Sequence, residues 1–132
     1  MKEVDTLAKA FPVVEAKRGP FVFVGLFLRE ESPGGWDLVV SAPRLERGEL
    51  KELDQLVKDL SDAAGKDFAR DLSRIVMLDA HDEALRSILA ETRGSPLPLH
   101  KKGHGLFGLP VEEAYVLRAQ PAVRNAHQLT AR

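Results

Sequence analysis

The residues with the most chemistry to offer fall into four groups. Asp37 is followed by Glu49-Leu50-Lys51. Two carboxylates and an ammonium in one site can hold a divalent cation such as Mg²⁺ on oxygen ligands and stabilise charge developing at phosphorus. Asp79-Ala80-His81-Asp82-Glu83 follows an apolar run. An acid and an imidazole at the end of a strand can exchange a proton, and open α/β sheets place their ligands there. The same residues suit a plainer role, since Asp79 and Asp82 precede a helical pattern as capping residues do. His100-Lys101-Lys102-Gly103-His104 gathers four potential cations in five residues. Lys charge, His donors and Gly amides suit an anion, while a solvated basic loop explains the same composition. Gly103-His104-Gly105-Leu106-Phe107-Gly108 matches G-x-G-x-x-G.

The spacing of the first group resembles the P-D…(D/E)-x-K pattern of the restriction-endonuclease-like nucleases. That resemblance implies a metal held by Asp37 and Glu49, with Lys51 helping to activate water. Trp36 stands where the pattern has Pro, and Glu49 and Lys51 fall at a helix start where that family has a strand. Read from the residues alone, Glu49 is first-turn helix charge. The glycine motif lacks its context, because Pro96-Leu97-Pro98-Leu99 is a poor strand to lead into it, so no dinucleotide cofactor is expected. His100 and His104 have the spacing that grips zinc on a helix, but Gly103 opposes a helix and two lysines repel a dication. No metal site is expected.

The elements that must position these residues follow from periodicity. Val4, Leu7, Ala8 and Phe11 predict a helix over 2–11 that ends at Pro12, and 15–20 reads as a turn. Residues 21–30 form a strand with Phe21, Phe23 and Phe27 on one face and Val22, Val24, Leu26 and Leu28 on the other. Both faces are apolar, so both must be covered. Gly25 marks a bulge or a close backbone approach. Residues 36–42 form the second strand of a hairpin, with Trp36, Leu38, Val40 and Ala42 opposite Asp37, Val39 and Ser41. Leu50, Leu53, Leu56, Val57, Leu60 and Ala64 predict a helix over 48–64, and Phe68 and Leu72 pair in a further turn. Residues 74–80 form a third strand and 81–92 a helix ended by Gly94. Beyond it, 106–109 and 114–117 read as short strands at the sheet edge, with a helix from Pro110 as the competing reading. Residues 121–132 read as a flexible or partner-bound tail.

The expected fold is therefore α/β or α+β. It has a mixed sheet of about four or five strands, a hairpin at 21–42, a βαβ crossover over 36–80 and helices packed on the sheet, all in one domain over 1–120. With 132 residues and no Cys, the chain can build a core but no disulfide, Cys-ligated metal or thiol nucleophile. Its longest apolar run, Phe21–Leu28, is far short of the about 20 residues that cross a membrane. A cytoplasmic location is the default. Net charge is −1, but 1–91 hold 13 basic and 18 acidic residues, against 6 and 2 in 92–132. The functional expectation is a small binding or assembly module without catalytic activity or cofactor. Its partner is itself or another protein, met through His100, Lys101, Lys102, His104, Arg118 and Arg124; nucleic acid is not favoured. The alternative is a metal-dependent phosphoester hydrolase using Asp37, Glu49 and Lys51, or Asp79 and His81.

Overall fold

The computed structural model describes residues 2–31, 35–42, 50–79 and 82–120, with the backbone alone for 18, 50–53 and 69. In chain order the elements are α1 (Lys2–Arg18), β1 (Phe23–Arg29), β2 (Trp36–Ser41), α2 (Leu50–Ala64), α3 (Lys66–Asp71), β3 (Leu72–Met77), α4 (Glu83–Thr92), β4 (Leu99–Lys102), a 3₁₀ turn (Leu106–Gly108) and β5 (Val111–Ala119). The strands make one mixed sheet in the order β3-β2-β1-β5-β4. β1 is antiparallel to β2 and to β5, β4 is antiparallel to β5, and β2 and β3 run parallel. The hairpin and the βαβ crossover are thus both present. No helix among the described residues is long and apolar enough to cross a membrane.

Two cores sandwich this sheet. On one face Val4, Leu7, Phe11 and Val14 of α1 meet Leu56 and Leu60 of α2, Phe68 of α3, and Leu26, Leu38 and Val40 of the sheet. On the other face Leu85 and Ile88 of α4 and Phe107 of the 3₁₀ turn meet Phe23, Phe27, Val39, Ala114 and Val116. The alternation in β2 is as its sequence predicts. At the start of β1 it is not: Phe21 packs with α1, whereas Val22 joins Phe23 and Phe27 on the α4 side. The chain bends at Val22 before the strand begins, and this reverses the parity.

The first helix does not stop at Pro12. α1 carries Pro12 inside it and ends at Arg18, so 15–18 are helix and not turn. An interior proline costs about 3 kcal/mol through its missing N–H and its clash with the preceding turn. Burying Leu7, Phe11 and Val14 stabilises by roughly 1.5–3 kcal/mol each, which outweighs it. The apolar stripe simply runs on past the proline to Val14. Gly19, at φ 105°, ends the helix, and its N–H donates to the Glu15 carbonyl at 2.7 Å.

The C-terminal third also differs. Residues 106–108 are a 3₁₀ turn and not a strand, β4 lies earlier at 99–102, and 111–119 is strand and not helix. β5 is not an edge; it lies between β1 and β4. The third strand begins at Leu72, so Phe68 and Leu72 meet across the α3–β3 junction and not along one helix. The tail from 121 lies outside the described residues.

Gly25 fulfils both of its expected roles. The β1–β5 register shifts between Val24 and Gly25, leaving Leu117 as the extra residue of a bulge. A Cβ on Gly25 would lie 3.0 Å from the buried Phe23 ring and 3.1 Å from the Tyr115 carbonyl oxygen. Gly25→Ala is therefore expected to lower unfolding free energy by about 1–3 kcal/mol, read as a reduced urea midpoint with an unchanged slope.

Candidate functional site

Strand alternation places three charged side chains in a row on the α4 face of the sheet. Arg29 lies two residues beyond Phe27, and Phe27 is paired with Asp37; Asp37 is in turn paired with Arg74. Arg29 Nε lies 2.9 Å from Asp37 Oδ2, and Arg74 Nε donates to the same oxygen at 3.0 Å. Arg29 also donates from Nη2 to Ser73 Oγ at 3.3 Å. The Asp37 side chain is 4% exposed, against 23% for Arg29 and 56% for Arg74. A carboxylate this deep costs several kcal/mol to desolvate, and among the described residues the two guanidiniums offset that. Its other oxygen, Oδ1, is buried and accepts no hydrogen bond among the described residues.

The three side chains line a cavity of about 180 Å³. Its remaining walls are Phe27 and Val39 of the sheet, Val76 and Leu78 at β3, Ala84 and Ile88 of α4, and Leu109-Pro110-Val111. At about 30 Å³ per water in the liquid, the space equals roughly six waters. Two larger clefts are lined by mixed charge. One, of about 500 Å³, lies between Lys2, Glu3 and the Gly65–Phe68 turn; the other, of about 560 Å³, lies between Trp36, Arg70 and Ser73. Neither has an apolar wall with a buried charge in it, so the smaller cavity is the better-formed site.

The glycine motif lies just before the Leu109-Pro110-Val111 wall of this cavity in the chain and is not itself part of the lining. Gly103, Gly105 and Gly108 all have positive φ, and so does Phe107, at φ 58°. That backbone turns the Phe107 ring inward to stack on Phe27, with centroids 5.6 Å apart. Lys101 Nζ lies 5.4 Å from the Phe107 centroid. The Gly105 N–H donates to Glu30 Oε2 at 2.8 Å, so the loop's anion is a carboxylate of the same chain. The second half of the motif is itself a short 3₁₀ turn, and a strand follows it in place of the long helix that a pyrophosphate requires.

The basic residues singled out from the sequence do not converge on one cleft. His100 Nε2 lies 2.7 Å from Glu113 Oε2, and its ring stacks on Tyr115 at 4.0 Å. Lys101 lies 3.8 Å from Glu91, and His104 lies 3.8 Å from Glu30. Lys102 is exposed on the outer strand. Arg118 is held by Glu15 through bonds of 2.6 and 3.2 Å and lies over the Phe11 ring. The bulge at Leu117 turns Arg118 towards α1, as such an extra residue can. Of the acidic candidates, Asp82 caps α4 by accepting from Ala84 N–H at 2.8 Å, and the Asp79 carbonyl accepts from Asp82 N–H. Glu49, His81 and Arg124 lie outside the described residues, and Lys51 is described by its backbone alone. No group of three potential metal ligands occurs among the described residues.

Sequence reasoning reached Asp37 and missed its partners. The signal was present: Arg29 and Arg74 share the parity of Phe27 and Val76 in strands that are otherwise apolar on that face. A charge on an inward strand face needs a counter-charge, and Asp37 has the matching parity.

The chain matches no family model, no curated protein and no solved structure.

Two outcomes follow from this geometry. Removing the Asp37 carboxylate leaves two guanidiniums facing one another, so Asp37→Ala is expected to cost about 2–4 kcal/mol in chemical denaturation. Asp37→Asn, which keeps the shape, is expected to cost less. Burial, and secondarily the charge of Glu113, hold the Tyr115 hydroxyl above its ordinary 10.0. The unfolded chain therefore loses this proton first, and the stabilisation present below pH 10 is lost as pH rises through the folded value. Tyr115 is the chain's one tyrosine, so tyrosinate absorbance reports it alone. Its midpoint is expected above the ordinary value, and Glu113→Gln is expected to lower it part of the way.

Proposed function

We propose that this protein is a small non-catalytic binding module whose ligand occupies the cavity between the sheet and α4. The observation that carries this reading is Asp37, a buried carboxylate set with its two arginines in a cavity wall whose other described residues are apolar. Ligand sites have this composition: apolar surface for affinity and a few fixed polar groups for orientation. The same cluster is poorly suited to holding a metal. Two guanidiniums share Asp37 Oδ2, and a dication there would meet a net positive charge. Binding therefore suits the site better than metal-assisted hydrolysis does. Assembly through the basic residues has less support, because His100, Lys101, His104 and Arg118 lie beside carboxylates of their own chain.

Methyl NMR with a set of small neutral and charged fragments tests this reading. Saturable shifts are expected at Val39, Val76, Leu78, Ile88, Leu109 and Val111, which line the cavity or sit at its rim. Ala84→Phe, which fills the space from α4, is expected to abolish them without lowering the melting temperature. Shifts at none of these methyls with any fragment would remove the proposal.

A further inference from the structure

We infer that β3 is the pairing edge of a homodimer, in which the β3 strands of two copies run antiparallel and join the two sheets into one. This does not depend on the cavity being a ligand site. β3 is one of the sheet's two outer strands, and β4 is the other. The edge of a sheet is a template for another strand unless something blunts it. β4 is blunted: it has four residues, two of them Lys101 and Lys102, and Pro96 and Pro98 stand before it. β3 has six residues, Leu72-Ser73-Arg74-Ile75-Val76-Met77, with one charge and no proline. All six keep part of their surface exposed, although four of them are apolar. Its neighbour β2 is buried from Asp37 to Ser41.

Main-chain direction fixes which groups the edge offers. Leu78 donates its N–H to the Val40 carbonyl at 2.8 Å, towards β2. The register with β2 is regular from Arg74 to Met77, and main-chain groups alternate sides along a strand. Those of Val76 therefore face β2 as well, and those of Ile75 and Met77 point outward. On that outer side the two residues make no main-chain bond among the described residues. A two-fold axis at Val76 sets Ile75 opposite the partner's Met77, and Met77 opposite the partner's Ile75, for four N–H···O bonds. Ile75 and Met77 pack at the α1 side of the sheet and Val76 at the α4 side, so in this register apolar side chains meet apolar ones on both faces.

Charge favours a second copy as the occupant. Residues 66–74, up to the middle of β3, hold Lys66, Arg70 and Arg74 against Asp67 and Asp71. Residues 78–83, just past its end, hold Asp79, Asp82 and Glu83 and no Lys or Arg. One end of the strand is thus net positive and the other net negative. Antiparallel pairing of two copies sets each positive end beside the partner's negative end, and the two-fold axis does this twice. Arg74 comes opposite the partner's Leu78, one residue from the partner's Asp79. Arg74 and Asp79 are both exposed, and beyond its bond to Asp37 the Arg74 guanidinium makes none among the described residues. The contact uses up both β3 edges, and the blunted β4 edges stop the sheet there, so the assembly closes at two.

Sedimentation equilibrium of the full chain is expected to give twice the monomer mass, falling towards the monomer on dilution. A chain that stays monomeric up to about 1 mM overturns the inference and leaves the edge to a strand of another protein. Single cysteines locate the contact, since the chain has none of its own. In a non-hydrogen-bonded antiparallel pair the Cα atoms lie about 4.5 Å apart, within the span of a disulfide. Val76→Cys is therefore expected to form a disulfide-linked dimer about tenfold or more faster than Val13→Cys, whose position on α1 is 56% exposed. A dimer in which the two cysteines link at equal rates is built on another surface, and that result overturns the inference too. Val76→Lys and Val76→Glu are each expected to be monomeric and to form a dimer when mixed, which also shows that both fold. Either variant dimerising alone as tightly as the unaltered chain counts against β3 as the pairing edge.

Discussion

A strand that is apolar on both faces cannot be left against water on either side, and β1 is such a strand at the centre of the sheet. The rest of the molecule is arranged by that constraint. α1, α2 and α3 cover one face, and α4 and the 3₁₀ turn cover the other. Strands on both flanks satisfy the backbone of β1, with β2 on one side and β5 on the other. The need to seal the face under α4 explains why Phe107 accepts a left-handed backbone: its ring closes the layer over Phe27. Strain of this kind persists only where surrounding contacts over-determine it.

Charge is handled differently in the two layers. Under α1, a long-range pair joins Glu15 to Arg118, and the β5 bulge is what points Arg118 there. Glu15 also accepts from the Phe21 N–H at 2.9 Å, so one carboxylate ties the end of α1 both to the chain entering β1 and to β5. Under α4, three charges lie in a row across adjacent strands, and one oxygen is left over. The first arrangement is complete and reads as structural. The second is incomplete, and that separates a candidate site from a tie between elements.

The hairpin, the striped helix α2 and the parallel third strand were all legible, because alternation and helical spacing are local properties of the chain. Asp82 as a helix cap was legible for the same reason. The end of α1 was not: Pro12 is a strong local stop, and only the burial of Phe11 and Val14 against distant residues overrides it. The Gly-rich stretch before β5 was misread because its conformation is set by positive φ angles and by Glu30, far away in sequence. Of the candidate site, Asp37 was visible as a polar residue in an apolar strand, but nothing local told whether a metal, a cap or an arginine would face it.

The order of apolar and polar residues along the chain determined the element types, the two-sided burial of β1 and the inward parity of Asp37, since each depends only on near neighbours. Tertiary structure alone decided which cations meet which carboxylates. Those pairs join residues 37 and 103 positions apart. Ion pairing depends on distance in space, which strand order and a one-residue bulge set and which spacing in the sequence does not encode.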